Sequence, residues 1–169
     1  FPLAAGLLAA MALPAMADTT VGLLLPASGN YAALGQDIED GFRMALAESG
    51  RSDITGLRED TEAKPPTGLT KARKLVMQGQ ADVLVGIVSS AVLGAVRDFV
   101  HDAGVPLIVA NAGNDEATGP ACSPFITRVS FSNSQLNRPM GEWMAAQGIK
   151  SVYTLAPDYA AGQQMRSEE

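Results

Sequence analysis

Short apolar runs alternate with longer amphipathic segments between residues 21 and 110. The runs are four to six residues long and rich in Val, Ile and Leu, which is typical of strands in a parallel sheet. The segments between them carry apolar residues at helical spacing and end at glycines. The predicted strands are residues 21–25, 54–59, 83–88 and 107–110, and the predicted helices are residues 35–49, 65–78 and 90–103.

The remainder of the chain continues the alternation less regularly. Residues 111–124 contain two glycines and two prolines and are predicted to be a loop, followed by an extended segment over 125–129. A helix over 132–147, a strand over 152–155 and a helix from residue 158 are predicted next. The face of the 132–147 helix expected to be buried consists of Leu136, Met140, Trp143 and Met144. In a chain that stops at Glu169, the same face is expected to be exposed.

Strands that alternate with helices at this spacing require right-handed crossovers. The sequence therefore predicts an α/β fold with a doubly wound parallel sheet.

Residues 1–17 are mostly apolar and uncharged, and they are shorter than the roughly 20 residues that span a bilayer. They end in Ala15-Met16-Ala17 before the polar Asp18, the pattern of an apolar signal region and its cleavage site. We therefore predict a partial signal peptide over 1–17 and an exported protein. A buried N-terminal helix is the alternative, and the lack of an amphipathic stripe disfavours it.

The charge balance limits the class of partner. The formal net charge is −6 and the sequence pI is near 4.7, whereas nucleic-acid binding needs a basic surface. No nucleic-acid partner and no stable membrane insertion are expected. Cys122 is the single cysteine of the sequence, so an intrachain disulfide is impossible, and a missing partner, a free thiol and a buried unreactive thiol all stay open.

Polar residues follow three of the predicted strands, at the sheet edge where ligands bind in open parallel sheets. These segments are residues 28–31, the pair Ser89-Ser90 and residues 111–114. Ser89 and Ser90 open a helix, whose unpaired N–H groups and dipole favour an anion such as a carboxylate. The alternative is that one of these serines simply caps the helix. Three polar strand ends at one edge favour a ligand site.

Signatures of enzymes are scarce. The sequence has no glycine-rich nucleotide motif, no phosphate-binding lysine loop and no G-x-S-x-G turn. His101, the single histidine, falls in the last turn of a helix, where a structural role is favoured. Asp60 and Glu62 at a strand end are better explained as solvated or helix-capping carboxylates than as an acid–base pair. No catalysis, cofactor or metal site is expected.

Motifs in order along the chain resemble one known family. PASG at 26–29, GQ at 35–36, DT at 60–61 and ADVLVGIVSS at 81–90 are followed by VP at 105–106 and NA at 111–112. FSNSQ at 131–135 and APDYAAG at 156–162 complete the pattern. Together they resemble periplasmic solute-binding proteins of the leucine/isoleucine/valine-binding type, the type I binding proteins of ABC importers.

The resemblance implies two doubly wound lobes that close on a solute, a fold for which hinge closure is a known motion. It implies lobe one over 18–127, a hinge crossover over 128–132 and the start of a truncated lobe two over 133–169. It further implies that Ser89 and Ser90 hold a ligand carboxylate and that Ala112 and Asn114 contact its polar head. Tyr31 and Leu34 would line the wall, and Tyr159 would reach across from lobe two.

The expected function is that of a periplasmic receptor that captures a small carboxylate- or amide-bearing solute and delivers it to the permease of an ABC importer. Amino-acid binders of this type carry a threonine where this chain has Gly113-Asn114-Asp115, so aromatic or aliphatic acids stay open beside branched-chain amino acids. An extracellular sensing domain is the main alternative, and an exported α/β hydrolase is a further one.

Overall fold

The computed structural model describes residues 18–166, so the predicted signal peptide over 1–17 lies outside the described residues. In this described part of the chain, five parallel strands form one sheet in the order β2-β1-β3-β4-β5. The strands are β1 (Thr19–Leu25), β2 (Ile54–Asp60), β3 (Val83–Gly86), β4 (Leu107–Val109) and β5 (Ile126–Arg128). The doubly wound parallel sheet predicted from the sequence is confirmed.

Within residues 18–166, five α-helices accompany the sheet, and their ends follow from local residue chemistry. They are α1 (Ala32–Ser49), α2 (Pro65–Met77), α3 (Ser90–Ala103), α4 (Asn133–Ala146) and α5 (Ala160–Arg166). Gly50 and Gly104 follow α1 and α3 with φ of 65° each, a left-handed conformation that glycine adopts without steric cost. Pro65 begins α2, where its fixed φ suits the first helical turn.

The two faces of the sheet are covered by different helices. Leu23 and Leu25 of β1 pack towards Phe42 of α1, whereas Leu24 faces the core formed with α2 and α3. Because alternate residues of a strand point to opposite faces, the apolar run of β1 is buried on both sides. Gly68 of α2 brings α2 against α3, since a Cβ built there would lie 2.5 Å from a methyl carbon of Val92.

Two predictions about the later part of the chain are wrong. Residues 152–155 form no strand, and their side chains are exposed, because no neighbouring strand among the described residues offers backbone partners. The face of α4 expected to be buried is open instead. Leu136, Met140 and Trp143 are 50%, 56% and 56% exposed, because α5 is the main contact of α4 and leaves this face uncovered.

Within residues 18–166, no helix combines the length and the hydropathy needed to cross a membrane.

Candidate ligand-binding site

A cavity of about 80 Å³ lies where the carboxyl ends of the strands meet α3, α4 and α5. This is the edge at which open parallel sheets bind ligands. Among the described residues, those that line it are all uncharged. They are Tyr31, Val88, Ser90, Asn111, Gly113, Phe131, Asn133, Tyr159, Ala161 and Met165.

The structure brings together only some of the residues expected at the site. Tyr31, Ser90 and Tyr159 line the cavity. Ser89 directly precedes Ser90 and is 6% exposed. The other three do not line the cavity. Ala112 and Asn114 are buried behind its lining, and Leu34 is 42% exposed on the first turns of α1.

Ser89 occupies the N-cap of α3 but its side chain makes no capping hydrogen bond. The first N–H groups of α3 therefore have no side-chain acceptor from their own cap, and the positive end of the helix dipole lies beside the cavity. This arrangement suits an anionic group supplied from outside the chain.

A strained turn carries β3 into α3. Gly86 has a φ of 131° and Ile87 a φ of 62°, which is an unusual value for a β-branched residue. The turn is held by two backbone hydrogen bonds, from the Ile87 N–H to Leu24 O (2.9 Å) and from the Ala112 N–H to Ile87 O (3.0 Å). The neighbouring strand and the loop after β4 thus fix the direction in which the serine pair leaves the sheet.

Two tyrosines meet at the cavity although 128 residues separate them in sequence. The hydroxyl oxygens of Tyr31 and Tyr159 are 3.2 Å apart. Burial raises the pKa of Tyr159 to about 12, and the hydrogen bond with Tyr31 acts in the same direction. Tyr159 is therefore a neutral hydrogen-bonding group at physiological pH.

The loop that presents Tyr31 is anchored by Asp60. The Asp60 carboxylate accepts hydrogen bonds from the Ala27 N–H (2.8 Å), the Ser28 hydroxyl (2.9 Å) and the Glu62 N–H (2.8 Å). Burial alone would raise the pKa of Asp60, but these hydrogen bonds outweigh it and hold the pKa below its usual value. The carboxylate is thus an ionised anchor for the β1–α1 loop.

Asparagine amides support Ser90 from two directions. The Asn114 side chain donates to Ser90 O (3.0 Å) and accepts from the Ala117 N–H (3.2 Å), so both ends of its amide are engaged within the protein. The Asn133 side chain donates to the Ser90 hydroxyl oxygen (3.1 Å). Ser90 is therefore held through its backbone and its side chain at once.

Sequence reasoning missed Phe131 and Asn133 as cavity residues. Both lie in the FSNSQ segment, where Ser132 and Gln135 form a capping box at the start of α4. That S-x-x-Q spacing locates a helix start from sequence alone. It carries no information about the approach of Asn133 to Ser90, which lies 43 residues earlier.

Other chemically notable residues lie away from the cavity lining. Cys122 is an exposed free thiol, and the His101 ring nitrogen Nδ1 lies 3.0 Å from the Ser123 hydroxyl. Across residues 18–166, no group of three His, Cys, Asp or Glu side chains is placed to hold a metal ion.

Known proteins resemble this chain in sequence and fold. The alignment to Leu/Ile/Val-binding protein homolog 6 of Brucella abortus (strain 2308) has 30% identity over 147 residues, covering 84% of this chain and 37% of that protein. A solute-binding protein of an ABC transporter from R. palustris, solved with benzoate, superposes with a TM-score of 0.82 at 39% identity, covering 89% of this chain and 43% of that one. A second, from Rhodopseudomonas palustris BisB5 with 3,4-dihydroxybenzoic acid, has a TM-score of 0.79 at 30% identity, covering 87% and 41%.

The chain thus spans about two fifths of the length of these relatives. The family profile described as periplasmic binding protein matches residues 18–168. The resemblance found in the motifs is confirmed, and the chain belongs to the periplasmic binding protein family.

Proposed function

We propose that the protein is the periplasmic receptor of an ABC importer and that it captures a small carboxylate by cleft closure, without catalysing a reaction. The observation that carries the proposal is the start of α3, where Ser89 leaves the helix uncapped and Ser90 lines the cavity. Backbone N–H groups, two hydroxyls and the helix dipole together form a donor set that fits a carboxylate.

The ligand we favour is an aromatic or aliphatic monocarboxylate. Tyr31, Phe131 and Tyr159 supply aromatic surface, and the lining contributed by the described residues holds no carboxylate for the ammonium group of an amino acid. Relatives point the same way, since two similar solved proteins hold benzoate and 3,4-dihydroxybenzoic acid. The curated relatives carry names of Leu/Ile/Val-binding proteins, so branched-chain amino acids belong in any test panel.

We assign the individual roles as follows. Ser89 and Ser90 bind the carboxylate, and Tyr159 closes over the ligand together with Tyr31. Asn114 acts on the polar end of the ligand through Ser90, whose carbonyl oxygen it holds. Ala112, buried beside the cavity, contacts the polar end of the ligand, and Leu34 lines the cleft wall outside the cavity itself.

The proposal places residues 18–127 in lobe one, residues 128–132 in the hinge crossover and residues 133–169 at the start of lobe two. The end of β5, the last strand of the sheet among the described residues, at Arg128 supports this division. Export through a signal peptide over 1–17 and delivery to a membrane permease belong to the same proposal. A ligand that binds the closed form more tightly than the open form would drive closure.

Isothermal titration calorimetry on the full-length protein tests the proposal, with benzoate, an aliphatic monocarboxylate, leucine and benzamide as the panel. We expect one carboxylate class to bind and to be recovered unchanged. The double variant Ser89→Ala/Ser90→Ala should weaken that binding at least about tenfold, because hydrogen bonds to a charged group are lost.

The matched control is Ser49→Ala/Ser52→Ala, two exposed serines at the C-terminal end of α1 and beyond it. This variant should bind as the wild type does. Unchanged affinity in Ser89→Ala/Ser90→Ala would remove the two hydroxyls from the site, and a chemically altered ligand would contradict the receptor function.

A further inference from the structure

We infer that Asn133 makes the Ser90 hydroxyl a hydrogen-bond donor towards the ligand, and that it thereby selects carboxylates over carboxamides. The inference rests on the proposed function and assigns Asn133 as a positioning residue that acts through Ser90. Asn133 is the first residue of α4 and is 1% exposed.

The Asn133 amide nitrogen donates two hydrogen bonds. One goes to the Ser90 hydroxyl oxygen (3.1 Å) and the other to Gln164 Oε1 of α5 (2.7 Å). An amide NH₂ has two donors and no acceptor, so both of its hydrogens are used by these two partners.

A backbone group fixes the direction of these bonds. The Asp115 N–H donates to the same Gln164 Oε1 atom (3.2 Å), and a backbone N–H can only donate. The atom facing it must therefore be the oxygen of the Gln164 amide. The Asn133 group that faces this oxygen must in turn be the NH₂, which leaves Ser90 as the acceptor of the Asn133–Ser90 bond.

The Asn133 side chain is packed closely against the loop after β4. Its backbone N–H donates to Gly113 O (2.8 Å), and its Oδ1 lies so close to Gly113 that a Cβ at that position would overlap it. Gly113 thus leaves room for the Asn133 side chain, and the backbone bond holds the residue in place.

The bond from Asn133 leaves the Ser90 hydroxyl proton free to be donated to a ligand. A serine hydroxyl has one donor and two acceptor positions, and here one acceptor position is occupied by Asn133. The hydroxyl proton remains available towards the cavity, where a carboxylate oxygen can accept it. A carboxylate presents two anionic oxygens to this proton, whereas a carboxamide presents one neutral oxygen and accepts a weaker hydrogen bond.

The test compares the affinities of benzoate and benzamide in the full-length protein by calorimetry. In Asn133→Asp the new carboxylate accepts the Ser90 proton and repels an anionic ligand. We expect benzoate affinity to fall about 10- to 100-fold, while benzamide affinity changes by less than about threefold. The benzoate-to-benzamide preference should therefore drop by about tenfold or more.

Asn137→Asp is the matched control, because Asn137 lies one turn further along α4 and its exposed side chain bonds to Met165 O (3.0 Å). It introduces the same charge into the same helix and should leave the preference unchanged. Equal losses for the two ligands would overturn the inference, and a double-mutant cycle with Ser90 separates an effect through Ser90 from the effect of the added charge.

A double-mutant cycle covers the case in which Asn133→Asp does not fold. Asn133→Ala should weaken benzoate binding in the wild type and have no further effect in Ser90→Ala. A loss that persists without the Ser90 hydroxyl would show direct contact between Asn133 and the ligand, and would overturn the inference. A wild type that binds no carboxylate would overturn the proposed function, whereas carboxylate binding with an unaltered preference would overturn this inference alone.

Discussion

Helices α3 and α4 have the same length of 14 residues and similar apolar spacing, yet they are packed very differently. Val92, Leu93 and Val96 of α3 are at most 1% exposed, whereas the apolar face of α4 is about half exposed. Apolar spacing therefore identifies the face of a helix that is suited to burial. Whether that face is buried depends on the elements packed against it. α4 also carries Pro139 in its interior, which removes one backbone hydrogen bond from the helix.

At their N-termini the order is reversed, because the poorly packed α4 has a side-chain cap and the well-packed α3 has none. α4 begins with a capping box in which Ser132 and Gln135 satisfy each other's backbone groups. Ser89 of α3 makes no such bond. The well-packed helix is thus the one without a side-chain cap, which fits the carboxylate site that we propose at its first turn.

The largest expected effect is on the free energy of unfolding, when a leucine is replaced by alanine in α3 and in α4. Leu93→Ala should lower the free energy of unfolding by about 2–5 kcal/mol, because Leu93 is fully buried and a cavity would remain. Leu136→Ala should lower it by about 1 kcal/mol or less, since Leu136 is already half exposed. Urea denaturation of the 169-residue chain measures both values, and equal losses would show that α4 is packed as tightly as α3.

The next effect is smaller: replacing a glycine by alanine should change the stability in opposite directions in α2 and in α4. Gly68→Ala should destabilise by about 1–3 kcal/mol, because the new Cβ would collide with Val92 where α2 meets α3. Gly141→Ala in α4 should stabilise by about 0.5–1 kcal/mol, because its Cβ would enter open space within a helix. Thermal denaturation measures the shift in unfolding midpoint for both variants. Destabilisation by Gly141→Ala would reveal a contact on α4.

The smallest expected effect separates the two N-caps. Ser132→Ala should lower the free energy of unfolding by about 1 kcal/mol, because the capping box is lost. Ser89→Ala should change it by less than about 0.5 kcal/mol, because no capping bond exists to lose. Chemical denaturation without ligand provides the comparison. If Ser89→Ala proved as destabilising as Ser132→Ala, the first turn of α3 would be a structural cap.

The fold was predictable where local chemistry and packing agree. Helix α3 was predicted with the bounds that the structure has, since Ser89 precedes it and Gly104 and Pro106 follow it. The strand predicted over 152–155 did not form. An apolar run needs backbone partners to become a strand, and its own sequence cannot supply them.

The site was predictable only in outline. Rules for parallel sheets located the edge, and Ser90, Tyr31 and Tyr159 do line the cavity there. The link from Asn133 to Ser90 could not be predicted, because it depends on the direction in which α4 leaves the sheet. The direction of α4 cannot be inferred from the residues next to Asn133 or to Ser90 in sequence.

The turn at Ile87 places two requirements on one residue. Its backbone, at a φ of 62°, suits glycine, whereas its side chain is fully buried and contributes to the core. Replacement by glycine would relax the backbone and open a cavity, and retention of isoleucine keeps the core and the strain. Such a conflict between local preference and global packing is local frustration, and frustration tends to concentrate where a protein works. The proposed carboxylate site gives a reason for this turn, because the turn sets the direction in which Ser89 and Ser90 leave the sheet.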